Sequence, residues 1–256
     1  MFNQLKKIAL GLIEYVNHIP PESVSLVGTV VVVTGASRGI GKAICNILAQ
    51  QGAYVFAVSR NLDELKSTFN RSKFYNKTLF LIRGDITSEG QITSVFTDIF
   101  RKFQRVDVLI NNAAVNSHKE FTNTTVQEFN HLMETNIKGM YLTCKAVIPL
   151  MKVSKAGLII NIGSKISHNT NIGPNKVLYA TSKYAVEGFT NALSSELSKF
   201  GIRVTCLMPG TVNTFISRKM TNFLSPMDVA NIVLMIIKFK QINFESILFK
   251  SNYQNI

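Results

Sequence analysis

From Thr29 onward, short β-branched runs alternate with longer stretches of helical period, and few architectures satisfy that alternation. Thr29 to Thr34, Tyr54 to Ser59, Thr78 to Arg83, Val106 to Asn111, Gly157 to Ser164 and Arg203 to Met208 read as strands buried on both faces. Helix-period segments near 39–51, 61–70, 88–103, 125–152 and 179–199 separate them. Another helix is expected over 226–239, where Ser225-Pro226 provides a capping residue and a first-turn proline. Ser246 to Lys250 offers one last strand. The alternation predicts an α/β fold, a doubly wound parallel sheet with helices on both faces, in one domain over 28–256.

Residues 1–27 stand apart. Phe2, Leu5, Ile8, Ala9, Leu12, Ile13 and Val16 recur at helical spacing before Pro20-Pro21 ends the pattern. An amphipathic helical extension is expected, packed on the domain or a neighbouring subunit, with contact to a membrane surface as the alternative. Glu14 interrupts the apolar stretch and the first arginine is Arg38, against secretory and transit signals. The aliphatic runs, such as Ile232 to Ile237, are too short to span a bilayer. Cys45, Cys144 and Cys206 are far apart, with no CxxC pair and no accompanying histidine cluster. That spacing argues against a disulfide framework and a metal site, and fits a reducing, cytoplasmic location. The 28 Lys and Arg against 15 Asp and Glu give a net charge of +13, a surface that attracts anions. Basic residues are dispersed, without a block or nucleic-acid motif, so nucleic acid is not the expected partner.

The first strand runs directly into Thr34-Gly-Ala-Ser-Arg-Gly-Ile-Gly41 and a helix. Glycines there let the chain turn tightly and let a pyrophosphate approach backbone N–H groups at the helix N-terminus. The second strand ends Ala57-Val-Ser-Arg60, with no acid until Asp63. An acid at that end would favour a free ribose 2′-hydroxyl, whereas Arg60 and Arg38 favour a 2′-phosphate, hence NADP(H) over NAD(H). Tyr179 and Lys183 lie four apart on one helix face, after Ser164 at the carboxyl edge of the sheet. Lys183 is expected to favour the phenolate and lower the phenol pKa from about 10. Tyr141 and Lys145 repeat the spacing without a preceding serine and are assigned to helix packing.

In their order, these strings resemble those of the short-chain dehydrogenase/reductase family in its compact, single-domain form. They are TGxxxGIG (Thr34 to Gly41), Asp85, NNAA (Asn111 to Ala114), Asn136, Ser164, YxxxK (Tyr179, Lys183) and Pro209-Gly210, and the match covers about residues 29 to 250. The resemblance implies a Rossmann-type fold and an oxidoreductase that interconverts a carbonyl and a secondary alcohol by hydride transfer. It implies Tyr179 as general acid and base, Ser164 on the substrate oxygen, Lys183 on the nicotinamide ribose, and Asn136 anchoring a proton-relay water. It further implies cofactor contacts at Gly35, Ser37, Arg38, Gly39, Ile40, Gly41 and Arg60. Asp85, Ile86, Asn112 and Ala113 would meet the adenosine half, and Pro209, Gly210, Val212 and Thr214 the nicotinamide carboxamide.

The Ser164 to Tyr179 interval is longer than the family's usual one, and the segment from Gly210 to Ser225 is shorter, which suggests an open pocket. His168, in the longer loop, is read as a solvated histidine or a substrate contact. The substrate is expected to be a small carbonyl or alcohol; the NNAA and NIGS strings and the basic surface also suit a carrier-bound 3-oxoacyl group, as in 3-oxoacyl-carrier-protein reductases. A homo-oligomer follows from the resemblance. The alternative is a catalytically silent nucleotide-binding or regulatory protein on the same fold.

Overall fold

The computed structural model describes residues 25–169, 172–214 and 223–251; residues 1–24 of the extension expected over 1–27 lie outside them. Seven strands form one sheet: β1 (Val30–Thr34), β2 (Tyr54–Ser59), β3 (Leu79–Arg83), β4 (Val108–Asn111), β5 (Gly157–Ile162), β6 (Ile202–Pro209) and β7 (Ser246–Phe249). Their order is β3-β2-β1-β4-β5-β6-β7, and every neighbouring pair is parallel. The helices are α1 (Gly39–Gln50), α2 (Leu62–Phe69), α3 (Glu89–Phe103), α4 (Val126–Met133), α5 (Gly139–Ser154), α6 (Val177–Leu197) and α7 (Pro226–Lys238).

The four valines of β1 show why the run is continuous. Val31 and Val33 pack into the core under α1 and α7, while Val30 and Val32 face the core under α3, α5 and α6. Each buried valine contributes about 1.5–3 kcal/mol through removal of apolar surface from water. Leu26, within the segment read as the extension, is fully buried in the first core.

The chain order reverses between β1 and β4, which opens a crevice at the carboxyl ends of those strands. Two departures from the sequence reading matter there. The strand expected over Gly157 to Ser164 ends at Ile162, because Ser164 caps its own 3-10 turn, Lys165–His168. The helix expected over 125–152 is two helices, joined by a π-helical turn, Glu134–Lys138, that carries Asn136.

Candidate active site

The turn from β1 to α1 requires glycine. Gly35 and Gly39 have φ of +64° and +53°, and a Cβ on Gly35 would stand 2.7 Å from Ala113 Cα. A Cβ on Gly41 would stand 2.3 Å from Gly35 O. Asn112 Nδ2 donates to the carbonyls of Thr34 and Gly35, both at 3.0 Å, and Thr34 Oγ1 accepts from the backbone N–H groups of Asn112 and Ala113. The ends of β1 and β4 are thereby laced together. The α1 N-terminus has no side-chain cap and no acid in its first turn, whereas Asn61, Thr125 and Ser225 cap α2, α4 and α7. Open N–H groups at a helix dipole's positive end suit a phosphate.

A cleft of about 870 Å³ lies over this turn. Among the residues expected on a cofactor, it is lined by the glycine turn from Gly35 to Ile40, Arg60, the Asp85-Ile86 pair, Asn112, Ala113 and Thr214. Arg38 and Arg60 are exposed at it, and Glu64 shares the wall. Gly41 is buried behind the turn. Pro209 ends β6, Gly210 donates to Phe249 O at 2.7 Å, and Val212 packs its side chain on the core and pairs with Leu224. The volume, the glycine cradle and the uncapped helix end fit a dinucleotide. One oxygen of Asp85 is already engaged, accepting from Thr87 N and Oγ1 at 2.9 Å each.

Tyr179 is the third residue of α6, and Lys183 follows one turn later. Lys183 is buried; its Nζ donates to Ile162 O at 2.8 Å and stands 5.7 Å from the centre of the Tyr179 ring. Burial lowers the Lys183 pKa to about 8. The expected lowering of the Tyr179 pKa by Lys183 is not what the structure gives. Burial pushes the phenol up, and the hydrogen bond with the Ser164 side chain only partly offsets it. Desolvation of the phenolate outweighs an ammonium that faces a backbone carbonyl instead of the phenol oxygen. Ser164 Oγ accepts from Ile166 N at 3.3 Å.

Asn136 is fixed on three sides. Its Oδ1 accepts from Val115 N at 2.8 Å, and its Nδ2 donates to Val115 O at 2.9 Å and to Ser182 Oγ at 3.0 Å. A second polar chain lies behind the site: Thr143 Oγ1 donates to Asn111 Oδ1, Asn111 Nδ2 to Asn161 Oδ1, and Asn161 Nδ2 to Thr190 Oγ1. His168 is exposed, as expected of a solvated histidine, and its Nε2 also pairs with Glu187 Oε1 at 2.8 Å, fastening the Ser164 turn to α6. Tyr141 is exposed, and Lys145 bonds Glu89, so that pair bridges α3 and α5 at the surface and does not serve as packing.

Sequence reasoning missed Thr135, Asn116, His118 and Thr87 on the cleft. The Thr135 side chain is buried, and its Oγ1 has no hydrogen-bond partner among the described residues. The Asp85-x-Thr87 spacing is a turn signal that would have found Thr87. Asn116 and His118, whose side chains meet at 3.0 Å, carried no such signal.

The family model for short chain dehydrogenases matches residues 29–224, which is most of the chain. The chain belongs to the short-chain dehydrogenase family. This short-chain dehydrogenase is 34% identical to an uncharacterized oxidoreductase of Staphylococcus saprophyticus, over 78% of this chain and 79% of that protein. A metagenomic short-chain oxidoreductase solved in complex with NADP superposes with a TM-score of 0.78 at 29% identity, covering 88% of this chain and 98% of the other. A short-chain type dehydrogenase/reductase from Mycobacterium marinum does so with a TM-score of 0.82 at 26% identity, covering 91% and 97%. The chain is therefore an oxidoreductase of the type that binds a nicotinamide cofactor. Among the described residues, no helix is long and apolar enough to cross a membrane.

Proposed function

We propose that this short-chain dehydrogenase reduces a carbonyl to a secondary alcohol with NADPH, and runs the reverse oxidation, with Tyr179 as the proton donor and acceptor. The observation that carries this reading is buried Lys183, one turn from Tyr179 on α6, bonded through Nζ to the carbonyl of Ile162 two positions before Ser164, which brings the three residues together at the carboxyl edge of the sheet. Ser164 Oγ accepts the Ile166 N–H, which leaves its hydroxyl proton to turn from the phenol to a substrate oxygen. Tyr179, held protonated by burial, keeps its proton until negative charge develops on that oxygen, and then gives it up. Lys183, with a pKa of about 8, exchanges protons near neutral pH and restores the phenol. Asn136 anchors the water side of that relay. The bound nicotinamide would supply or take the hydride.

Two exposed arginines on the cleft, Arg38 and Arg60, and the absence of an acid at the end of β2 support NADP(H) over NAD(H). The similar metagenomic enzyme solved with NADP agrees with that choice. The buried thiols suit a reducing, cytoplasmic setting. Phe129, Tyr141 and Tyr184, each 45% exposed on α4, α5 and α6, offer faces for a second copy. Light scattering at the mass of a single chain would rule that assembly out.

The test is NADPH consumption against a panel of ketones, aldehydes and 3-oxo esters, with the alcohol identified in the products. Stoichiometric alcohol formation is expected with at least one member. Tight NADPH binding without turnover of any member would favour the silent nucleotide-binding reading.

A further inference from the structure

We propose that Ser182 is a positioning residue that holds Asn136 in register with Tyr179 and Lys183. This inference rests on the catalytic reading above. Ser182 is fully buried. Its Oγ donates to the Tyr179 backbone carbonyl at 2.8 Å and accepts from Asn136 Nδ2 at 3.0 Å. The single hydroxyl proton is thus committed to α6, which leaves the oxygen lone pairs for Asn136. Both Nδ2 protons of Asn136 are in turn used, one on Val115 O and one on Ser182 Oγ, while Oδ1 receives Val115 N. A flipped amide would set Nδ2 against the Val115 N–H and Oδ1 against the Val115 carbonyl, so only one orientation survives.

The arrangement is a directional chain from the π-helical turn, through a side-chain hydroxyl, into the first turns of α6. Each bond polarises the next, because both side chains are buried. Among the described residues, the bond to Ser182 is the one hydrogen bond that joins the Asn136 side chain to the helix that carries Tyr179 and Lys183. Ser182 does not line the cleft, and its hydroxyl bonds Asn136 and the Tyr179 carbonyl, so it acts through Asn136. Removing its oxygen strands one buried amide proton and frees the π-helical turn to shift against α6.

The test compares Ser182→Ala and Ser182→Thr with the parent, and with Ser182→Cys, which fills the site with a weak acceptor, should alanine fail to fold. In ¹⁵N-labelled protein without cofactor, exchange of the Asn136 side-chain amide protons should accelerate about tenfold in Ser182→Ala and recover in Ser182→Thr. With NADPH and the fastest carbonyl of the panel, kcat should fall about tenfold while NADPH affinity stays within about twofold. The solvent isotope effect on kcat should rise and that of deuterated NADPH should fall, as proton relay becomes limiting; a smaller folded fraction would move neither. Unchanged amide exchange, or unchanged isotope effects in a Ser182→Ala protein whose parent loses turnover on Tyr179→Phe, overturns the role of Ser182. Undiminished turnover in Tyr179→Phe overturns the catalytic reading instead, and the amide exchange then still decides whether Ser182 holds Asn136.

Discussion

Lys183 Nζ donates a 2.8 Å hydrogen bond to the carbonyl oxygen of Ile162, the last residue of β5 and two positions before Ser164. That bond pins the second turn of α6 to the strand end from which the Ser164 turn departs. It also holds the ammonium in a dry site below the phenol, which accounts for its lowered pKa.

A stability prediction follows from that burial. The Lys183 pKa is about 8 in the folded protein against 10.5 as its ordinary value. Between those values the unfolded chain binds the proton and the folded one does not, so this group's contribution to stability rises with pH. Relative to Lys183→Met, the cofactor-free parent should gain up to about 3 kcal/mol from pH 8 to pH 10.5. Urea unfolding across that window measures it; a constant difference between the two proteins would show that Lys183 titrates normally.

The glycine turn yields a second expectation. Gly35→Ala forces a side chain into a φ of +64° and against Ala113 Cα. It should destabilise the protein by about 1–3 kcal/mol and abolish NADPH binding. Thermal unfolding with and without NADPH reads both effects, and a normal ligand-induced rise in Tm would count against the cradle.

Arg60 tests cofactor choice. Arg60→Asp should weaken NADPH binding about tenfold more than NADH binding, since only NADPH loses a phosphate counter-ion. Equal losses in fluorescence titrations with the two cofactors would place the 2′-phosphate elsewhere.

The polar chain beneath the sheet edge is a separate element of stability. Asn161 is fully buried, and its amide links Asn111 to Thr190. Asn161→Ala removes one buried bond from each partner, leaving Asn111 with Cys144 and Thr143 and Thr190 with Val186, and should cost about 1–3 kcal/mol in chemical denaturation. A loss below a few tenths of that figure would mean the network is dispensable.

The particular residues show how much of this was legible in the sequence. Four successive valines in β1 announce a strand covered on both faces, because each neighbour in the run must find its own core. The glycine spacing likewise announces a turn that no side chain could fill. The π-helical turn at Asn136 was not legible, since the bonds that accompany it come from Val115 and Ser182, distant in sequence. The protonation of Tyr179 was misread for a related reason. Helical spacing places Lys183 beside it, but spacing says nothing of the Ile162 carbonyl that takes up the ammonium, or of the burial that raises the phenol. His168 found Glu187 by tertiary contact alone.

The central claim is that the Tyr179 hydroxyl delivers the proton, and Tyr179→Phe tests it with one oxygen atom removed. Measured by NADPH oxidation at neutral pH with the best carbonyl of the panel, the variant should lose about 10²–10⁴-fold in kcat/KM. Its NADPH affinity should remain within about threefold of the parent's. A variant that turns over at the parent's rate with cofactor bound would contradict the account.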